Sequence, residues 1–317
     1  MGRLKSVGRL VLCLLGTCYD FLRFACYAGW RLDMSDKRER NYAAARIYHS
    51  LEKSLSLTDR DPASGRSNTL LLKGVVDKAS EANDFGYQDR VAINVLRQFS
   101  AQIKDDGEGA RLNRELEELE KIAAKEGGIF EFDESAYKDA ILPDPESFFL
   151  SRFSLREFSP RSIDDQTLQR AIKMAMKSPS VCNRQAWHVY DIDDPLLIEK
   201  ALTLQSGNRG FGHKISKLLI ITSDLKAFFS SKERYQHWID GGLFSMSLIL
   251  AFHSLGISSC CLNWSQGASA DIKLRRALPI KPEHSVIMML TIGYPNVANK
   301  VCQSPRRPLE EIYTKLS

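Results

Sequence analysis

No CxxC pair occurs in these 317 residues, so neither a zinc ribbon nor a thioredoxin-type redox pair is encoded. The seven cysteines (Cys13, Cys18, Cys26, Cys182, Cys260, Cys261 and Cys302) are odd in number and irregularly spaced. That excludes a disulfide framework and makes reduced thiols in a cytoplasmic setting the expectation. The six histidines, at 49, 188, 213, 237, 253 and 284, show no metal-ligand spacing, and no metal is expected. Nor is there a Ser/His/Asp or paired-carboxylate pattern that would mark a hydrolase. Charge of one sign is scarce too: 44 Lys+Arg against 39 Asp+Glu leave +5, with no concentrated basic face, so a nucleic-acid partner is not expected. What remains, 44% hydrophobic and 26% charged residues, is ordinary globular composition with length enough for more than one domain.

Three regions separate by pattern: 1–31, 32–147 and 148–317. In the first, Leu4, Val7, Val11, Leu14, Leu15, Cys18, Phe21, Leu22 and Ala25 fall on one helical face, with Arg9, Asp20 and Arg23 opposite. Its longest charge-free run, Leu10 to Tyr19, is ten residues. A spanning helix needs about 20, so a transmembrane segment is not expected. The run gives way to Asp20 and Arg23 without a small-x-small cleavage site, which argues against a signal peptide. Two readings stay open: a helix lying peripherally on an anionic membrane, or one packed against its own or a partner domain. The second is the commoner use of a wide apolar stripe.

The second region reads as an all-α accessory unit. Helices are expected over Tyr42–Leu57, Thr69–Ala82, Asp89–Ile103 and Arg111–Lys125, with a turn-rich break at residues 59–68 and a stop at Gly127-Gly128. It carries no catalytic pattern. His49 is read as structural or exposed, and the acids around 115–120 as a solvated face.

From Phe148 helices and β-rich runs alternate. A helix is expected over Asp165–Lys177, a long apolar one over Tyr235–Leu255, and strands over Ala186–Ile192, Lys217–Thr222, Ile257–Leu262 and Val286–Gly293. Four polar clusters punctuate this half. Arg152, Ser154 and Arg156 alternate, so an extended segment would put two guanidiniums and a hydroxyl on one side, a set suited to a phosphomonoester. SPSVCNRQAW (178–187) carries Asn183 and Gln185 into a strand. CCLNWSQG (260–267) ends another strand in a polar turn, and PRRPLEEI (305–312) supplies Arg306 and Arg307.

Taken in order, these clusters resemble the nitroreductase family of FMN-dependent oxidoreductases, over the C-terminal half alone. The resemblance rests on R-x-S-x-R-x-F at Arg152–Phe158, P-S-x-x-N-x-Q-x-W at Pro179–Trp187, Asp240-Gly241-Gly242, L-G-I-x-S at Leu255–Ser258, I-G-Y-P at Ile292–Pro295 and the terminal R-R-P-L-E-E-I. It implies an α+β fold, a central mainly antiparallel sheet flanked by helices, preceded here by the all-α region. It also implies a homodimer with FMN at the subunit interface and NAD(P)H as reductant. Arg152, Ser154 and Arg156, joined by Arg306 or Arg307, would hold the ribityl phosphate. Ser180, Val181, Cys182 and Asn183 would border the isoalloxazine and ribityl chain, Asn208 the pyrimidine edge, and Leu262 and Asn263 the flavin's other side. His213 is a further candidate near the site. No side chain is expected to be catalytic, because the flavin carries the chemistry. Where many members have a lysine Ser304 stands, and where others have a glutamate Asn263 stands. The implied activity is ping-pong reduction of a small quinone, nitroaromatic or enone. The alternatives are a dehydrogenase or oxidase acting on a biosynthetic intermediate, and a non-catalytic flavin-binding or membrane-surface and complex-forming protein.

Overall fold

The computed structural model describes residues 2–59, 65–102, 107–296 and 298–316. Residues 60–64 of the turn-rich break at 59–68, and Ile103, therefore lie outside the described residues. Helix α1 (Gly2–Tyr27) leads into α2 (Lys37–Leu55), α3 (Arg66–Glu81), α4 (Tyr87–Ser100) and α5 (Glu108–Glu117). α2 begins earlier than its apolar pattern suggests because the Asp36 carboxylate accepts from the Arg38 and Glu39 backbone N–H groups, capping the first turn. The expected 111–125 helix is broken. After α5 the chain is tied to α4 by Ala124 N–H to the Arg90 carbonyl (3.0 Å) and by Arg97 with Glu120 (2.6 Å), and it turns away. Tyr48, Leu51, Leu72, Val76, Leu96, Phe99 and Leu116 form the core of this helical body.

Two short helices, α6 (Glu134–Asp139) and α7 (Pro145–Leu150), lead to α8 (Asp165–Ala175) and the sheet. The remaining elements are β1 (Trp187–Ile192), α9 (Pro195–Thr203), β2 (Leu218–Asp224), α10 (Gln236–Ser254), β3 (Ser258–Asn263), α11 (Ala268–Ala277) and β4 (His284–Gly293). The strands pair antiparallel in the order β1-β2-β4-β3. Alternation along β2 sends Leu219 and Ile221 to one face and Leu218 and Ile220 to the other, so both faces need cover. α8 and α10 cover the first with Leu168, Ala171, Phe244, Leu248 and Phe252. α9 and α11 cover the second with Ile198, Leu202 and Leu274. The fold is thus the expected α+β architecture, an antiparallel sheet between helical layers, with a helical body before it.

That body is fastened to one end of the sheet by polar contacts. Arg38 donates to Glu283 (2.6 Å), the Tyr42 hydroxyl to Asp224 (3.1 Å), and Lys226 to Asp36 (2.9 Å) and Glu39 (2.6 Å). The apolar stripe of α1 is not used for packing. Val7, Val11, Leu14, Leu15, Phe21 and Leu22 are all exposed, while Phe24 near its end and Ala28 just beyond it are buried. The stretch Val7–Arg31 is also long and apolar enough to cross a membrane, by length and composition.

Candidate functional site

Residues 151–159 run along the edge of β3. Ser154 bridges Ser259 in parallel, Leu155 N–H donates to the Ser259 carbonyl (3.1 Å), and Ser159 N–H donates to the Tyr294 carbonyl (2.9 Å). Phe158 fits against Gly293, where an added Cβ would meet its ring at 2.6 Å. The segment is extended, so Arg152, Ser154 and Arg156 project alternately with the intervening residues. Arg152 and Ser154 are half-buried and Arg156 is exposed. The Arg156 guanidinium lies 3.5 Å from the Cys302 sulfur and 5.8 Å from the Phe211 ring centre. Among the described residues neither arginine pairs with a carboxylate. Two cations beside a hydroxyl, without a protein anion, suit a phosphate dianion.

Before β1, the chain makes a 3-10 turn at Val181–Asn183. Cys182 (φ 48), Asn183 (φ 50) and Gln185 (φ 52) all adopt left-handed backbone, a costly state for residues with a Cβ that must be held from outside. The holding groups are visible. Val181 N–H donates to Asp240 (3.2 Å), and Gln185 N–H to the Ser180 hydroxyl (3.0 Å). Fully buried Arg184 pairs with Glu233 (2.5 Å) and donates to the Ala227 carbonyl. Burial raises the Asp240 carboxyl above its ordinary range. For Glu233, hydrogen bonds from Arg184 and Phe229 N–H outweigh its partial burial and hold the carboxyl below it. Sequence reasoning passed over Arg184 and Glu233. The available signal was an arginine set between the two amides of a short loop.

Along β3, burial alternates: Cys260 and Leu262 face the core while Cys261 and Asn263 face outward. Leu262 therefore offers backbone, not side chain, to that surface. Asn263 donates to Ser265 (2.8 Å), and its carbonyl accepts from Gln205 (3.0 Å). The Asn208 amide nitrogen is spent in its own turn, donating to the Leu202 (2.8 Å) and Gln205 (2.6 Å) carbonyls. His213 is exposed on the wall of a neighbouring cleft with Asn208. Arg306 and Arg307 lie on an exposed tail, the first donating to the Ser304 carbonyl and the second 3.9 Å from Glu311. All seven cysteines are free. Burial raises the Cys260 thiol above its ordinary value, away from the reactive thiolate.

One chain does not bring these groups together. β3, with Arg152, Ser154 and Arg156 beside it, is one edge of the sheet, and β1, entered from the 180–185 loop, is the other. Three strand spacings separate them, roughly 14 Å. The phosphate-type cluster and the strained loop thus lie at opposite edges of the sheet.

Against known proteins, the sequence model of the Nitroreductase family matches residues 150–208. A protein of Archaeoglobus fulgidus, whose name assigns it as an NADH dehydrogenase or NAD(P)H nitroreductase, is 30% identical over 149 residues, which span 46% of this chain and 82% of that protein. The iodotyrosine deiodinase of Hydra vulgaris is 23% identical over 212 residues, 56% of this chain and 76% of its own. Among solved structures, an FMN-dependent nitroreductase of Clostridium difficile aligns with a TM-score of 0.46 at 21% identity, covering 54% of this chain and 99% of that one. The family match begins at the edge segment carrying the paired arginines, runs through the strained loop, and is joined by a relative covered over most of its length: this chain belongs to the nitroreductase family.

Proposed function

We propose that the protein is an FMN-dependent oxidoreductase that takes hydride from NADH or NADPH and delivers it, in a ping-pong cycle, to a small organic acceptor of the quinone, nitroaromatic or enone type. The observation that carries this reading is the pair of guanidiniums, Arg152 and Arg156, flanking Ser154 on the edge of β3, with no carboxylate paired to them among the described residues. Forked donors and a hydroxyl match the oxygens of a phosphomonoester, and charge-assisted hydrogen bonds are the strong ones. Bound FMN would supply the hydride chemistry, being reduced by the nicotinamide and re-oxidised by the acceptor.

The protein's own part is to bind, orient and enclose. The left-handed turn at Cys182 and Asn183 is fixed beforehand by Arg184, Glu233 and Asp240, so little ordering is left to do on binding. The two half-sites at opposite sheet edges support a homodimer, in which one copy grips the phosphate and the other presents its 180–185 loop to the ring system. The tail that would supply Arg306 and Arg307 exposes Val301, Leu309, Ile312, Tyr313 and Leu316, a row of apolar side chains suited to a partner's surface.

The test is anaerobic spectroscopy of the protein purified with added FMN. The yellow absorbance should bleach with NADH or NADPH and return when menadione or a nitrofuran is added. Replacing Arg152 and Arg156 together by Ala should strip the flavin, since each charge-assisted contact is worth about 1.5–3 kcal/mol. A colourless protein that takes up no FMN would overturn the proposal.

A further inference from the structure

α1 is docked along one side and bare along the other. Its last third is held to the sheet domain: the Tyr19 hydroxyl donates to Asp271 (2.7 Å), Arg23 donates to the His284 carbonyl (3.0 Å), and buried Phe24 stacks on His237 with centroids 6.1 Å apart. Just beyond, Gly29 N–H donates to the Phe228 carbonyl (2.8 Å). Tyr19, Arg23 and Phe24 lie away from the apolar stripe, which faces outward. Leu14 is 63% exposed, Leu15 59%, Phe21 65% and Leu22 58%. A soluble amphipathic helix does the reverse, turning its apolar side to the core.

We propose that this outward stripe is a membrane anchor that inserts α1 into one anionic lipid leaflet, with the sheet domain held at the surface. Charge decides the occupant. Arg3, Lys5 and Arg9 precede any acid, the first being Asp20, so by sequence the first half of this helix is cationic as well as apolar. Apolar area together with basic residues is the combination that binds a helix to anionic lipid. The docked third decides the geometry. To span the bilayer, the helix would have to break the Tyr19–Asp271 and Arg23–His284 contacts and take Asp20 and Arg23 into hydrocarbon. The helix therefore lies in the leaflet. This inference does not rest on the flavin reading.

The experiment is flotation of the full-length protein with vesicles of phosphatidylcholine alone or phosphatidylcholine containing phosphatidylserine. The protein should float with the anionic vesicles, at least about tenfold less with the neutral ones, and be released by high salt. The double variant Leu14→Glu/Leu15→Glu should lose flotation while keeping its circular dichroism, because neither side chain packs on the domain. Three results would overturn the proposal. One is no flotation of the unaltered protein. A second is flotation that survives the double variant. The third is a variant that changes the oligomeric size in solution while the unaltered protein ignores vesicles, which would make the stripe an interface between copies. Resistance to alkaline extraction from membranes would contradict the in-leaflet geometry and favour a span.

Discussion

His284 begins β4 with its Nδ1 3.0 Å from the Tyr190 hydroxyl and 3.1 Å from that of Thr222. Burial, reinforced by nearby His188, lowers its pKa from 6.5 to about 3. The folded protein thus refuses a proton that the unfolded chain accepts, and stability present above about pH 6.5 drains away as pH falls toward 3. Asp224, 3.9 Å away, works the other way. Burial raises its carboxyl from 3.8 to about 6, so its contribution is present at low pH and lost as pH rises through 6. The His284 window is the wider. Denaturant midpoints measured across that range should fall on acidification in the unaltered protein. In His284→Gln the acid limb should flatten or reverse to the slope left by Asp224, whereas parallel profiles would remove His284 from the account. None of this was legible in HSVIMML, which reads only as a strand start, because the groups around the ring, His188 and Tyr190 of β1 and Thr222 and Asp224 of β2, are brought there by strand pairing. Arg152, Ser154 and Arg156 were legible because strand alternation alone places them together. Asn208 was not, since its commitment to Leu202 and Gln205 depends on how the turn closes.

Elements were legible where their pattern was long and buried on both faces. β2 and α10 lie within two residues of their expected ends, because the Leu-Leu-Ile-Ile run and a helix closed by Gly256 at φ 71 leave little choice. They were less legible where tertiary contacts override local preference, as in the break after α5 and the outward face of α1. The α2–α4 pair shows such a contact at its strongest. Arg40 and Asp89 are both fully buried, 3.3 Å apart, and Arg40 also donates to the Met34 carbonyl (3.1 Å). Removing one partner of a buried pair strands the other charge, which costs about 3–5 kcal/mol. Arg40→Ala should therefore lower the urea midpoint sharply, and a shift within experimental scatter would show that water or repacking relieves Asp89.

At the scale of the whole molecule, the proposed homodimer makes a demand on the exposed C-terminal tail. Deleting residues 301–317 removes side chains that are exposed in the single chain, so the monomer fold should survive. Light scattering should then find the dimer lost and flavin occupancy reduced with it. An intact dimer would give the tail no part in assembly. The phosphate grip is the central claim, and riboflavin, which is FMN without its phosphate, isolates it. Titrating flavin-free protein with each ligand should show FMN binding tighter by at least about a hundredfold, two charge-assisted hydrogen bonds at roughly 1.5–3 kcal/mol each. That preference should vanish when Arg152 and Arg156 are both Ala. Equal affinity for the two flavins in the unaltered protein would contradict the account.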